Sequence, residues 1–218
     1  MSPKTIGLSQ ELYDYSLGCA SPLDDVQQRL IERTRGLGGL ARMQISPDQG
    51  ALLGMLVATV APALAVEIGT FTGYSALVMA RGLPDGGRLL SCDVSEEWTA
   101  IAREHWDAAG VADRIDLRIG PAIDTLRCLP SDQPVGFAFI DADKTGYVDY
   151  YEELLPRLEP HGLIAVDNTL WSGAVIDPSD TSDDTEAIRR FNAHVATDPR
   201  TDSVIVPIGD GMTLIRSR

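Results

Sequence analysis

From residue 63 onward the chain alternates short apolar runs with stretches of helical period. ALAVEIG (63–69), RLLSCDV (88–94), IDLRIG (115–120), VGFAFIDA (135–142) and GLIAVDN (162–168) read as strands. The segments 73–81, 95–109, 121–129 and 144–157 read as helices between them. Such alternation implies right-handed crossovers and a parallel sheet. Two last runs, 202–209 and 211–217, meet at Asp210-Gly211, a tight-hairpin signal, so the sheet should end in an antiparallel pair. Upstream the pattern is helical over 9–18, 23–37 and 47–60. The second of these opens at Pro22 behind a Ser21 cap, and the third has Ser46 as cap and Pro47 at its first position. Helix 47–60 is apolar on much of its surface (Leu52, Leu53, Leu56, Val57, Val60), so it should pack on the sheet. The expectation is one α/β domain over 1–218: a doubly wound, mostly parallel sheet of seven strands at 61–218, preceded by helices at 1–60.

Composition narrows what such a domain can do. With 218 residues, 44% hydrophobic, the chain can build one sizeable core. Its net charge of −14 argues against nucleic acid and against an anionic membrane surface, which need clustered Lys and Arg. Cys19, Cys92 and Cys128 show no zinc spacing or disulfide framework and read as buried thiols. The N-terminal stretch lacks the apolar core of a signal peptide, and no run approaches the roughly 20 apolar residues of a membrane span. A cytoplasmic location is expected.

The first candidate chemistry lies in the loop Glu67-Ile-Gly-Thr-Phe-Thr-Gly-Tyr-Ser75, between the first strand and its helix. In doubly wound sheets, ligands bind beyond the carboxyl ends of the strands. Gly69 and Gly73 would let backbone approach a ligand, Thr72 or Ser75 could satisfy free amides, and Glu67 could accept from a cationic amine. Phe71 stands where a dinucleotide site needs a small glycine, which counts against NAD and FAD. Asp93 closes the second strand, where a carboxylate suits both hydroxyls of an adenosine ribose. The alternative is that Asp93 caps the helix opening at Ser95.

Two acidic clusters follow the fourth and fifth strands: Asp141-Ala-Asp143-Lys144 and Asp167-Asn168. Asp141, Asp167 and Asn168 are hard oxygen donors without nearby His or Cys, a set that suits Mg²⁺, Mn²⁺ or Ca²⁺ rather than zinc. Caps and turns are the bland alternative. Two clusters on neighbouring strand ends would repel without a cation, which favours the metal reading. Adjacent hydroxyls of a substrate could chelate such an ion. Lys144, three residues past Asp141, could serve as base beside the metal. Its alternative is a surface lysine paired with Asp141 or Asp143.

At these residues the chain resembles the caffeoyl-CoA and catechol O-methyltransferase-like family of cation-dependent O-methyltransferases, in its bacterial small-molecule branch. The matching strings are MQISPDQG (43–50), VEIGTFTGYSAL (66–77), the Asp93 region, IGPAIDTL (119–126), FIDADK (139–144) and DNTLWSG (167–173). The resemblance implies the seven-stranded, Rossmann-like methyltransferase fold and S-adenosylmethionine as methyl donor. It implies a donor site at Ile45, Glu67, Gly69, Thr70, Ser75, Asp93, Ala122 and Asp143. It also implies a divalent metal, Mg²⁺ or its relatives, on Asp141, Asp167 and Asn168. Lys144 would be the catalytic base, with Asp141 beside it. A catechol-like acceptor, a homodimer, and N-terminal helices that shape the acceptor pocket complete the picture. Ser172 departs from the plant acyl-CoA branch, which has an asparagine there. The acidic stretch 174–186 is expected to be a mobile loop and a poor host for CoA phosphates. A caffeoyl-CoA-type ester is therefore the alternative acceptor, and a non-catalytic donor-binding paralogue the alternative to an enzyme. Trp171 is expected to wall the acceptor pocket. Trp98 and Trp106 are expected to pack or sit at a surface, Tyr147 and Tyr151 to pack, and His105, His161 and His194 to play no catalytic part.

Overall fold

The computed structural model describes residues 7–218; residues 1–6, part of the stretch read for a signal peptide, lie outside the described residues. The apolar runs become β1 (Leu64–Ile68), β2 (Arg88–Asp93), β3 (Ile115–Ile119), β4 (Val135–Ile140), β5 (Leu158–Val166), β6 (Thr201–Val206) and β7 (Met212–Ser217). They form one sheet in the order β3-β2-β1-β4-β5-β7-β6. β1 to β5 pair in parallel, and β7 runs antiparallel between β5 and β6. The order reverses between β1 and β4, which places the crevice of a doubly wound sheet above those two strands.

The helices are α1 (Gln10–Gly18), α2 (Asp25–Arg35), α3 (Pro47–Val60), α4 (Tyr74–Gly82), α5 (Glu96–Ala109), α6 (Ala122–Cys128), α7 (Tyr147–Leu154) and α8 (Asp183–Thr197). α2 to α5 cover one face, where Leu53, Val57, Met79 and Trp106 meet Phe137 and Phe139 of β4. α6 to α8 cover the other, where Leu126, Tyr147, Tyr151 and Phe191 meet Ala138 and Ile140. Alternate residues of one strand thus feed two cores, and all six positions of β4 are buried.

Several details differ from the pattern. α2 is capped by Asp24 rather than Ser21, because Asp24 accepts from Gln27 N while the Gln27 side chain accepts from Asp24 N. The run 144–157 is a tight 3₁₀ turn (Lys144–Gly146), then α7, then a second 3₁₀ turn (Leu155–Arg157) that contains Pro156. The β6–β7 connection is wider than a two-residue turn. Pro207 cannot donate to the ladder, and the chain reverses over 207–211 through Gly209 and Gly211, both at positive φ. Finally, 183–186 belong to α8. Asp183, Asp184 and Glu186 occupy its first turn, where the helix dipole favours negative charge.

Among the described residues, no helix is long and apolar enough to cross a membrane. Cys92 is buried as expected, whereas Cys19 and Cys128 are exposed.

Candidate active site

The carboxyl ends of β1, β2, β4 and β5 open into one cavity of about 1320 Å³. A single small-molecule site usually measures about 300–1,000 Å³, so this one has room for two ligands side by side. Ile45, Gly69, Thr70, Ser75, Asp93, Ala122, Asp141, Asp143, Lys144, Asp167 and Asn168 all line it. Glu67 does not.

On the β1–β2 side, Gly69 has φ +93, and a Cβ there would stand 2.0 Å from the Asp141 carbonyl oxygen. Gly73 has φ +86, and its Cβ would strike Ala102 and Trp106. Both glycines are demanded first by neighbouring chain, not by a ligand. Thr72 and Ser75 do not cap α4, whose N-cap is Gly73. Thr72 instead accepts from Thr34 of α2 at 2.8 Å, so an N-terminal helix braces the loop from behind. Asp93 braces it from the front. Its Oδ2 accepts from Thr70 N (2.9 Å) and Phe71 N (2.7 Å), and its Oδ1 from Ser95 N (2.8 Å). The cap of α5 is Ser95 itself, which accepts from Trp98 N. Trp98 lies edge-on to Phe71 at 5.1 Å and lines the cavity, so it does more than pack.

Glu67 is fully buried beneath the loop. Its Oε2 accepts from Ser91 Oγ at 2.6 Å, and its Oε1 has no partner among the described residues. Burial pushes its pKa up to about 7, against the opposing pull of the Ser75 and Ser91 hydroxyls.

On the β4–β5 side the charges converge. Lys144 Nζ donates to Asp141 Oδ1 (3.1 Å), Asn168 Oδ1 (2.6 Å) and the Tyr147 hydroxyl (2.7 Å). Tyr147, expected only to pack, also donates to the Asp167 carbonyl at 3.1 Å. Asp167 Oδ1 accepts from Gln49 Nε2 and from Asn168 N, both at 2.7 Å. Burial raises the pKa of Asp141, with Lys144 pulling it back. Burial also raises that of Asp167, and the Asp141 charge adds to the rise. Two acids that resist ionisation together, with an amide oxygen beside them, are a donor set for a hard divalent cation. Oxygens of Asp141 and Asn168 already share one cationic centre, the Lys144 ammonium, so the residues fit the metal that the resemblance implies. A separate group, Glu152, His194 and Asp198, is already bridged by Arg200, which donates to both carboxylates.

The outer wall follows β5. Asn168, Trp171 and Ser172 have φ of +58, +48 and +50, conformations that cost on the order of 1–3 kcal/mol each and persist only when over-determined. The hairpin turn does part of that. Thr169 N donates to Gly211 O, Leu170 N to Asp210 O, and Ser172 N to the Asp210 carboxylate. Trp171 lines the cavity, its ring centroid 5.6 Å from Lys144 Nζ.

The profile of an O-methyltransferase family matches residues 19–218. This chain belongs to that family. It is 40% identical over 227 residues to tricin synthase 1 of Oryza sativa, covering 98% of this chain and 90% of the relative. It is 38% identical over 229 residues to caffeoyl-CoA O-methyltransferase 2 of Eucalyptus globulus, covering 98% and 91%. The O-methyltransferase of Bacillus cereus in complex with SAH superposes with a TM-score of 0.86 at 31% identity, covering 94% and 96%. The enzyme is thus an S-adenosylmethionine-dependent O-methyltransferase of the caffeoyl-CoA type. The pattern reading missed Gln49, Trp98 and the second contact of Tyr147. Gln49 lies inside MQISPDQG, but its partner is 118 residues away, beyond any local signal.

Proposed function

We propose that this methyltransferase, with a divalent cation bound, transfers the methyl group to one hydroxyl of a catechol-like small molecule. The observation that carries this reading is the convergence of Asp141, Asn168 and Lys144 Nζ at the end of the cavity walled by Trp171. The donor would lie along the β1–β2 side, against Gly69, Thr70, Ser75, Asp93, Ala122, Asp143 and Ile45. Glu67 would act on it through the Ser91 and Thr70 hydroxyls rather than by direct contact.

Asp141, Asp167 and Asn168 would hold Mg²⁺, Mn²⁺ or Ca²⁺, which acidifies a hydroxyl that it binds. Gln49 orients Asp167, and Tyr147 orients Lys144. Lys144 Nζ, as the free amine, would take the proton of the attacking hydroxyl and become the ammonium. The oxygen then displaces the methyl from the donor sulfonium: an O–C bond forms and the C–S bond breaks, with the bonding pair left on sulfur. The remaining residues hold oxygen, carbon and sulfur in line, which can supply about 7–11 kcal/mol of the barrier.

A CoA ester fits less well. Ser172 and 176–179 are exposed, Asp210 lines the cavity, and Asp177 and Asp180 follow its wall along the chain, a concentration of negative charge that would repel CoA phosphates. The complete set of acids with Lys144 speaks against a non-catalytic binder. We also propose a homodimer, which light scattering would report as twice the 23.5 kDa chain mass, and a cytoplasmic location. The direct test is methyl transfer from labelled donor to a panel of catechols and caffeoyl-CoA. Turnover of catechols is the expected result.

A further inference from the structure

The acidic stretch after Trp171, expected to be mobile, is gripped by one side chain. Arg189 of α8 commits four of its five guanidinium donors to it and the fifth to Glu186 of its own helix. Nε donates to Val175 O (3.1 Å), Nη1 to Asp180 O (2.8 Å) and the Glu186 carboxylate, and Nη2 to Ala174 O (2.8 Å) and Asp177 O. Within the stretch, Asp177 accepts from Ser179 N and Oγ, and Asp180 from Ser182 N and Oγ. One turn along α8, on the same helix face, Asn192 Nδ2 donates to Thr169 O at 2.8 Å. The segment between these two anchors carries Trp171, Ser172 and Ala174, all lining the cavity. Its other edge is bonded to the hairpin turn at Asp210 and Gly211. Only a planar fork can serve four carbonyls at once, since a lysine ammonium is a point donor on a flexible stem.

We propose that Arg189 is a positioning residue that holds the Trp171–Ala174 wall in its acceptor-binding shape, so that the acceptor meets a preformed wall rather than a closing lid. The proposal rests on the reading above that this wall faces the acceptor. A preformed wall spares the ordering cost of binding, so losing the clamp should appear in acceptor KM more than in kcat. Donor affinity should be untouched. Asp93 ends β2 and the wall follows β5, three strand spacings apart, about 14 Å at about 4.8 Å each.

The test compares wild type, Arg189→Gln, Arg189→Lys and the double variant Asp177→Ala/Asp180→Ala, which loosens the same stretch while leaving Arg189 in place. Acceptor KM and kcat are measured on catechols, SAH affinity by calorimetry, and hydrogen exchange across 169–180. Arg189→Gln should raise acceptor KM about tenfold, keep SAH affinity within twofold and speed exchange at 172–177. Arg189→Lys should fail to restore KM, and the double variant should shift it the same way by less. Unchanged exchange in Arg189→Gln would show that the arginine does not hold the wall. Faster exchange with acceptor KM within twofold would show that the hold does not matter to the acceptor. Either result overturns the proposal. If wild type methylates no catechol, the acceptor reading fails on its own, and the clamp stands or falls on exchange at 171–174.

Discussion

Lys144 Nζ occupies the point where two oxygens suited to a metal and one phenol meet, at 2.6–3.1 Å. The proposed role of Lys144 as base predicts that Lys144→Met lowers kcat by at least about 100-fold, within the range typical of a positioned acid or base. SAH affinity, measured by calorimetry, should stay within about twofold; near-normal turnover in the variant would end that role. Gln49 is the neighbour that aims Asp167. Groups in that position are typically worth about 10–100-fold in metal affinity, and Gln49→Ala should weaken Mg²⁺ binding by that order in a direct titration. Glu67 links the site to pH. Its folded pKa is raised from 4.5 to about 7 by burial. The folded state therefore holds a proton that the unfolded state releases between those values. The contribution is full below pH 4.5 and is lost as pH rises through 7, a change of about 3 kcal/mol. Glu67→Gln should flatten the fall in Tm between pH 5.5 and 8; an unchanged slope would place the titration elsewhere.

At the scale of elements, the glycine loop shows what local pattern can and cannot reveal. The strand–turn–helix around Gly69 was legible because a short apolar run ends in glycine and a helical period begins. The reason for Gly69 was not, because the Asp141 carbonyl that excludes a Cβ comes from β4. Gly69→Ala should therefore cost more than about 1 kcal/mol in urea unfolding and displace Asp141 as well. The carboxyl ends of β1 to β5 were readable because acids and glycines stop the apolar runs where the crevice opens. The start of β5 was not, since Pro160 interrupts the run. α8 was hidden by its own first turn, whose three acids resemble a loop until the dipole they neutralise is known. The same reading made 174–186 a mobile rim; the carbonyls that bind Arg189 carry no side-chain signature in the sequence.

At the scale of the molecule, the sheet order sets the division of labour. β2 and β1 present the glycine loop and Asp93, β4 and β5 present the acids and Lys144, and the β6–β7 turn buttresses the outer wall. The N-terminal segment contributes unevenly. Residues 42–46 and Gln49 line the cavity, α2 braces the loop through Thr34, and α1 touches α3 through Tyr13 and Asp48. The donor and the reaction class follow from the family. The proposed cation and catechol rest on the convergence at Asp141, Asp167 and Asn168, and one assay addresses both. Methyl transfer from labelled S-adenosylmethionine to catechol would be followed with Mg²⁺, with EDTA, and with Mg²⁺ restored in excess. Transfer that stops with EDTA and returns with Mg²⁺ is the expected result. An undiminished rate in EDTA would contradict the role assigned to the acidic cluster.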